Sequence, residues 1–157
     1  MNCAPRAEAG PASPHTATVV LVGFLKPEQD FLRGLLEFAD CSASDCRWAI
    51  QANDTVDAAV TAVGLERISV AVCDHDRISE GWKELLGRTA DLSQPPCVIV
   101  TSRLADEYLW AEALNLGAYD VLARPFDPAD VVRSVNLARV HWQGRCSARH
   151  RAAHAMA

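Results

Sequence analysis

The chain has 157 residues, half of them apolar, and a formal net charge of -5, which suits one well-covered hydrophobic core, so that a second sizeable folded domain is not expected. No apolar run approaches the roughly 20 residues that cross a bilayer, and the first sixteen residues hold neither an apolar secretory core nor a lipid-anchor pattern, so the protein is expected to be cytoplasmic with no membrane contact. Residues 143–157 carry Arg145, Arg149 and Arg151 without an acid, which leaves the remainder acidic and argues against a nucleic-acid partner.

Residues 1–16, with Pro5, Pro11 and Pro14 among small residues, read as a disordered tail. From Ala17 onward, short β-rich runs alternate with segments of helical spacing, the signature of βα units and a parallel sheet. The first strand is predicted at Thr18 to Val22, followed by a helix that opens near Pro27 and carries Phe31, Leu32, Leu35, Leu36 and Phe38. A second strand near Arg47 to Gln51 leads to a helix capped by Asn53 or Asp54, bearing Val56, Ala59, Val60 and Val63 and ending at Gly64. The third strand, Ile68 to Cys73, runs into the loop from Asp74 to Ser79, with Ser79 as cap of a helix containing Trp82, Leu85 and Leu86.

The fourth strand, Cys97 to Thr101, is unbroken in its apolar character and so reads as buried on both faces. A helix from about Ala105 to Leu116 stops at Gly117, and a short fifth strand spans Tyr119 to Ala123. The last helix begins with Asp127 as cap and Pro128 in its first turn, and Val131, Val135, Ala138 and Trp142 form its apolar stripe. The domain is expected to end at Trp142, with 143–157 a solvated basic tail. These elements predict an α/β fold, a doubly wound five-stranded parallel sheet with helices on both faces, whose chemistry gathers at the carboxyl ends of the strands.

The residues at those ends carry a resemblance. Val-Ala-Val-Cys-Asp at 70–74, Gly81 to Leu86, Val98 to Ser102 and Leu116 to Phe126, with its Arg-Pro-Phe end, resemble the response-regulator receiver domain of two-component signalling, a flavodoxin-like fold. The resemblance covers 17–142. It implies a stand-alone receiver in phosphorelay signal transduction, not an enzyme in its own right, in which Asp74 accepts a phosphoryl group from a sensor histidine kinase. Thr101 would contact one phosphoryl oxygen, Arg124 would pair with another, and Mg²⁺ would neutralise charge on the transferring group. It further implies a docking or homodimer face formed by the fourth helix, fifth strand and fifth helix, with Val121 at a switch position and Tyr108 and Trp110 as contact residues.

The chain also departs from that pattern. Gly23-Phe24-Leu25 follows the first strand where an acidic pair belongs, Glu28 and Asp30 are read as lying too far along the helix to replace it, and Arg124 stands for a lysine. The Mg²⁺ site then rests on Asp74 with Asp76 or a loop carbonyl. Two readings stay open: a phosphorylated receiver, or a pseudo-receiver that works by protein contact without the covalent step.

Other residues have plainer expectations. Cys73 and Cys97 read as core, and thiolate metal sites are disfavoured because Cys41 and Cys46 lack a second ligand pair. His75 is expected to be an exposed loop residue, and Trp48, Trp82, Trp110 and Trp142 to pack or to form an interface. A flavin- or nucleotide-binding α/β protein is the rival class, but neither Gly-x-Gly-x-x-Gly nor a Walker loop occurs.

Overall fold

In the computed structural model, which describes residues 15–40 and 46–156, the predicted alternation of strands and helices is present throughout. The elements are β1 (His15–Val22), α1 (Lys26–Asp40), β2 (Cys46–Asn53), α2 (Val56–Leu65), β3 (Ile68–Asp74), α3 (Gly81–Thr89), β4 (Cys97–Ser102), α4 (Glu107–Leu116), β5 (Asp120–Ala123) and α5 (Pro128–Ala155). The five strands form one parallel sheet in the order β2-β1-β3-β4-β5, the flavodoxin-like order, with its crevice at the carboxyl ends of β1 and β3.

Period-two alternation divides the core between the two faces of the sheet. Val19, Leu21, Val70, Val72, Cys97 and Ile99 pack under α1 and α5, whereas Val20, Val22, Ala71, Cys73, Val98 and Val100 pack under α2, α3 and α4. Every residue of β3 and β4 is buried, as their uninterrupted apolar runs require. Trp48, Trp82 and Trp142 are core residues, while Trp110 is 37 % exposed.

Several boundaries differ from the sequence reading, each for a local reason. Thr55, not Asn53 or Asp54, caps α2, its hydroxyl accepting from the Ala58 amide, because Asn53 is still paired with Val22 in the sheet. Gly64 lies inside that helix, which ends at Leu65. Glu80 rather than Ser79 precedes α3, and it makes no side-chain cap. Asp106 caps α4 through the Leu109 amide, and Gly117 terminates it with φ +102°. Asp127 and Pro128 open α5 as expected, the Asp127 carboxylate accepting from the Ala129 amide.

The largest correction concerns the C-terminal segment, expected to be a disordered tail from residue 143. Helix α5 continues through Gly144 to Ala155. The segment is rich in Ala and Arg, strong helix formers, and the single glycine costs only about 1 kcal/mol relative to Ala. It also has tertiary anchors: Arg145 donates to the Pro95 carbonyl at 2.9 Å, Arg149 donates to the Ser93 carbonyl, and Cys146 packs on the core. At the other end, β1 begins at His15, two residues inside the expected N-terminal tail; the rest of that tail and Cys41 lie outside the described residues.

Candidate functional site at the carboxyl edge of the sheet

Strand register brings the predicted residues to one edge. Asp74 pairs with Thr101, Thr101 with Leu122, and Ser102 with Ala123, so residue 124 emerges beside residues 74 and 101. The Arg124 amide extends the pairing by donating to the Ser102 carbonyl at 3.0 Å, and the Arg124-Pro125 peptide is cis.

Asp74 is 1 % exposed, and both of its carboxylate oxygens are engaged. Oδ2 accepts from Arg124 Nη1 at 2.9 Å, and Oδ1 accepts from the Asp76 amide at 3.0 Å. Burial pushes the Asp74 carboxyl above its usual range; the Asp76 amide opposes this, and the Asp76 carboxylate adds to it. Burial likewise lowers the Arg124 guanidinium from its usual value. Both directions express the desolvation that a buried ion pair must overcome.

Arg124 is the hub. Its planar fork reaches Asp74 through Nη1 and Glu28 through Nη2, with Asp76 Oδ2 at 3.8 Å. The guanidinium also lies over Phe24, 5.7 Å from the ring centroid, and over Phe126 at 5.3 Å, contacts that favour a cation. Phe24, which stands where an acid is expected, is therefore part of the clamp on Arg124.

Glu28, expected to lie too far along α1 to serve a metal, does reach Arg124. It occupies the first helical turn, and its Oε2 accepts from the Leu25 amide at 3.1 Å, the returning half of a capping box. From that turn its other oxygen reaches Arg124. Position relative to the helix start, rather than distance in sequence, was the available signal.

Asp76 and Thr101 have different partners from those implied by a phosphoryl site. Asp76 Oδ1 accepts from Ser102 Oγ at 2.8 Å and Oδ2 from the Arg103 amide at 2.9 Å, which ties the loop after β3 to the end of β4. Thr101 is fully buried and its hydroxyl donates to the Cys73 carbonyl at 3.5 Å. Ser102, which belongs to the fourth-strand motif beside Thr101, is thus the hydroxyl that meets a carboxylate.

His75 is not a free loop side chain. Its Nδ1 accepts from the indole Nε1 of the buried Trp82 at 3.1 Å, which satisfies a donor that burial would otherwise leave unpaired. Its backbone amide donates to the Thr101 carbonyl at 2.9 Å.

Gly23, at the end of β1, has φ +83°, and a Cβ there would lie 3.0 Å from Ile78 Cδ1. Ile78 also packs on Gly81, where an added Cβ would meet its Cγ2 at 2.5 Å. An aliphatic side chain thus fills the space between the end of β1, Asp74 and the start of α3.

The carboxylates at this edge fit Mg²⁺ poorly, because an ion that takes one or two carboxylates with waters and phosphoryl oxygens would compete with protein donors for each of them. Asp74 is paired with Arg124, Asp76 is held by Ser102 and Arg103, and Gly23 and Phe24 offer no side-chain oxygen. Among the described residues no group of three or more His, Cys, Asp or Glu side chains is arranged to hold a metal ion. The residues predicted to hold the metal, Asp74 and Asp76, are thus already engaged by donors of the protein itself.

The predicted switch and contact residues lie on the next face. Val121 is 2 % exposed and belongs to the core under α4, so it is a packing residue. Trp110 lines a shallow cavity of about 240 Å³ with Asp120, Val121, Pro125 and Asp130, and Tyr108 is 77 % exposed. No described helix is long and apolar enough to cross a membrane.

Neither a family model nor a curated protein sequence matches the chain. Solved structures do. The signal receiver domain of an HD domain-containing protein from Pseudomonas fluorescens superposes with TM-score 0.69 at 17 % identity, covering 92 % of this chain and 98 % of that one. The receiver domain of a LuxO-type repressor from Vibrio parahaemolyticus gives TM-score 0.69 at 16 % identity over 82 % and 93 % of the two chains. A response regulator from Thermotoga maritima gives 0.64 at 19 % identity over 80 % and 98 %. The chain has the five-stranded, flavodoxin-like receiver fold.

Proposed function

We propose that the protein is a receiver module of response-regulator type that signals through protein contacts, with Asp74 held as the buried partner of Arg124 instead of being phosphorylated. The observation that carries this reading is the clamp itself: one guanidinium holds both Asp74 and Glu28 and lies over two phenylalanine rings, while Asp76 is engaged by Ser102 and Arg103. Phosphoryl transfer to a carboxylate depends on positioned positive charge and a metal that neutralises the transferring group. Here the positive charge is already neutralised by two carboxylates.

The partner is a sensor histidine kinase or another signalling protein, and the contact face is formed by α4, β5 and α5. Tyr108 and Trp110 suit such a surface because aromatic anchors supply much of the binding energy at interfaces. A homodimer through the same face is the alternative occupant.

A second reading has its own support. Asp74, Thr101 and Arg124 do meet at one edge, and a receiver phosphorylated on Asp74 needs that convergence. Incubation of the full chain with Mg²⁺ and acetyl phosphate, followed by intact mass, separates the two. The proposal expects no phosphoryl adduct under conditions that label an ordinary receiver. An adduct that disappears in Asp74→Asn would overturn it in favour of the phosphorelay reading.

A further inference from the structure

At the opposite edge of the sheet, where β1 and β3 begin, a cavity of about 200 Å³ is bounded by Arg67, Arg139, Thr16, Thr18, Trp142 and Gln143. No carboxylate lines it. Two guanidinium groups thus line one cavity whose walls supply no negative charge.

Neither arginine has a carboxylate partner among the described residues. Arg67 lies 5.1 Å over the Trp142 ring and Arg139 lies 5.8 Å over the Trp48 ring, so aromatic faces orient both. Arg139 Nη1 donates to Gln143 Oε1 at 3.2 Å, but its Nε is buried with no acceptor, as is Nε1 of Trp142.

We propose that this cavity is a binding site for a small oxyanion, a phosphate or a short carboxylate. Planar guanidinium forks match the paired oxygens of either group, and Gln143, whose Oε1 is taken by Arg139, lines the same cavity with its amide. The volume is below the roughly 300 Å³ at which sites for drug-sized ligands begin, which sets the class at single anions and not nucleotides.

The test titrates the full chain with inorganic phosphate and, separately, with succinate, at ionic strength matched by sodium chloride, and follows heat of binding and melting temperature. Saturable binding beyond the chloride control is expected. Arg67→Gln, an exposed position whose variant is checked for an unchanged circular dichroism spectrum, should weaken binding by at least about tenfold, roughly 1.4 kcal/mol. Arg139→Gln should do the same, and Arg133→Gln, which alters an exposed arginine paired with Asp130, should leave it intact. Tighter phosphate binding identifies a phosphoryl ligand, and tighter succinate binding a carboxylate; either order supports the site. Responses equal to chloride, or undiminished binding by folded Arg67→Gln, would overturn it.

Discussion

Arg124 shows how one side chain converts a phosphate-type edge into a closed one. A lysine would bring a single point charge, whereas the fork engages Asp74 and Glu28 together and stacks on Phe24 and Phe126. Removing it would strand a carboxylate that is 1 % exposed. Arg124→Gln is therefore expected to cost about 3–5 kcal/mol in urea unfolding, with much of that loss recovered in Arg124→Gln combined with Asp74→Asn. A cost within about 0.5 kcal/mol, typical of an uninvolved surface change, would show that the clamp is not formed in solution. Gly23 is constrained independently: with φ +83° and Ile78 at 3.0 Å from an added Cβ, Gly23→Ala should destabilise by about 1–2 kcal/mol. Asp74, Thr101 and Arg124 were legible in the sequence because each directly follows or closes a strand. Glu28, Phe24 and Ile78 were not, because their roles depend on how a helix turn and a loop fold back over the edge.

Among the elements, strands and apolar helix faces were readable wherever burial dictates composition, as in β3, β4 and the stripe Val131, Val135, Ala138 and Trp142 on α5. Caps were less so: Thr55 and Asp106 took the role because sheet pairing and chain direction decide which of several adjacent polar residues faces the helix amides. The end of α5 was misread because its second half is polar and basic, and nothing in its spacing reports carbonyl acceptors more than forty residues away, at Ser93 and Pro95. Those two contacts hold the extension against the loop before β4. Arg145→Ala with Arg149→Ala should lose about 1 kcal/mol of local stability for each hydrogen bond, and amide hydrogen exchange should accelerate over 145–155 while protection in β3 and β4 stays unchanged. Equal protection in the double variant would mean that helix propensity alone sustains the extension.

At the level of the whole molecule, the sheet places thiols on both of its buried faces, Cys97 under α1 and α5 and Cys73 under α2, α3 and α4. Burial, with the Asp74 carboxylate beside it, pushes the Cys73 thiol from 9.0 to about 12; burial raises Cys97 in the same direction, against Arg145. A thiol whose folded pKa lies above its unfolded value favours the folded state fully below the unfolded value, and that contribution is lost as pH climbs toward the folded one. Between pH 9 and about 12 the unfolded chain releases a proton that folded Cys73 keeps, so stability should fall by about 1 kcal/mol per pH unit from this group. Cys73→Ala should flatten that alkaline limb. Tyrosine ionisation is controlled by comparing the two chains at each pH rather than either one alone. At pH 8 the same burial makes thiol reactivity a probe of the sheet as a unit: Cys73 and Cys97 should react with a thiol reagent only at the rate of global opening, and at similar rates, whereas partly exposed Cys146 reacts sooner. If Cys73 reacted much faster than Cys97, the face covered by α2, α3 and α4 would be opening on its own, and the sheet with its two helical layers would not unfold as one cooperative body.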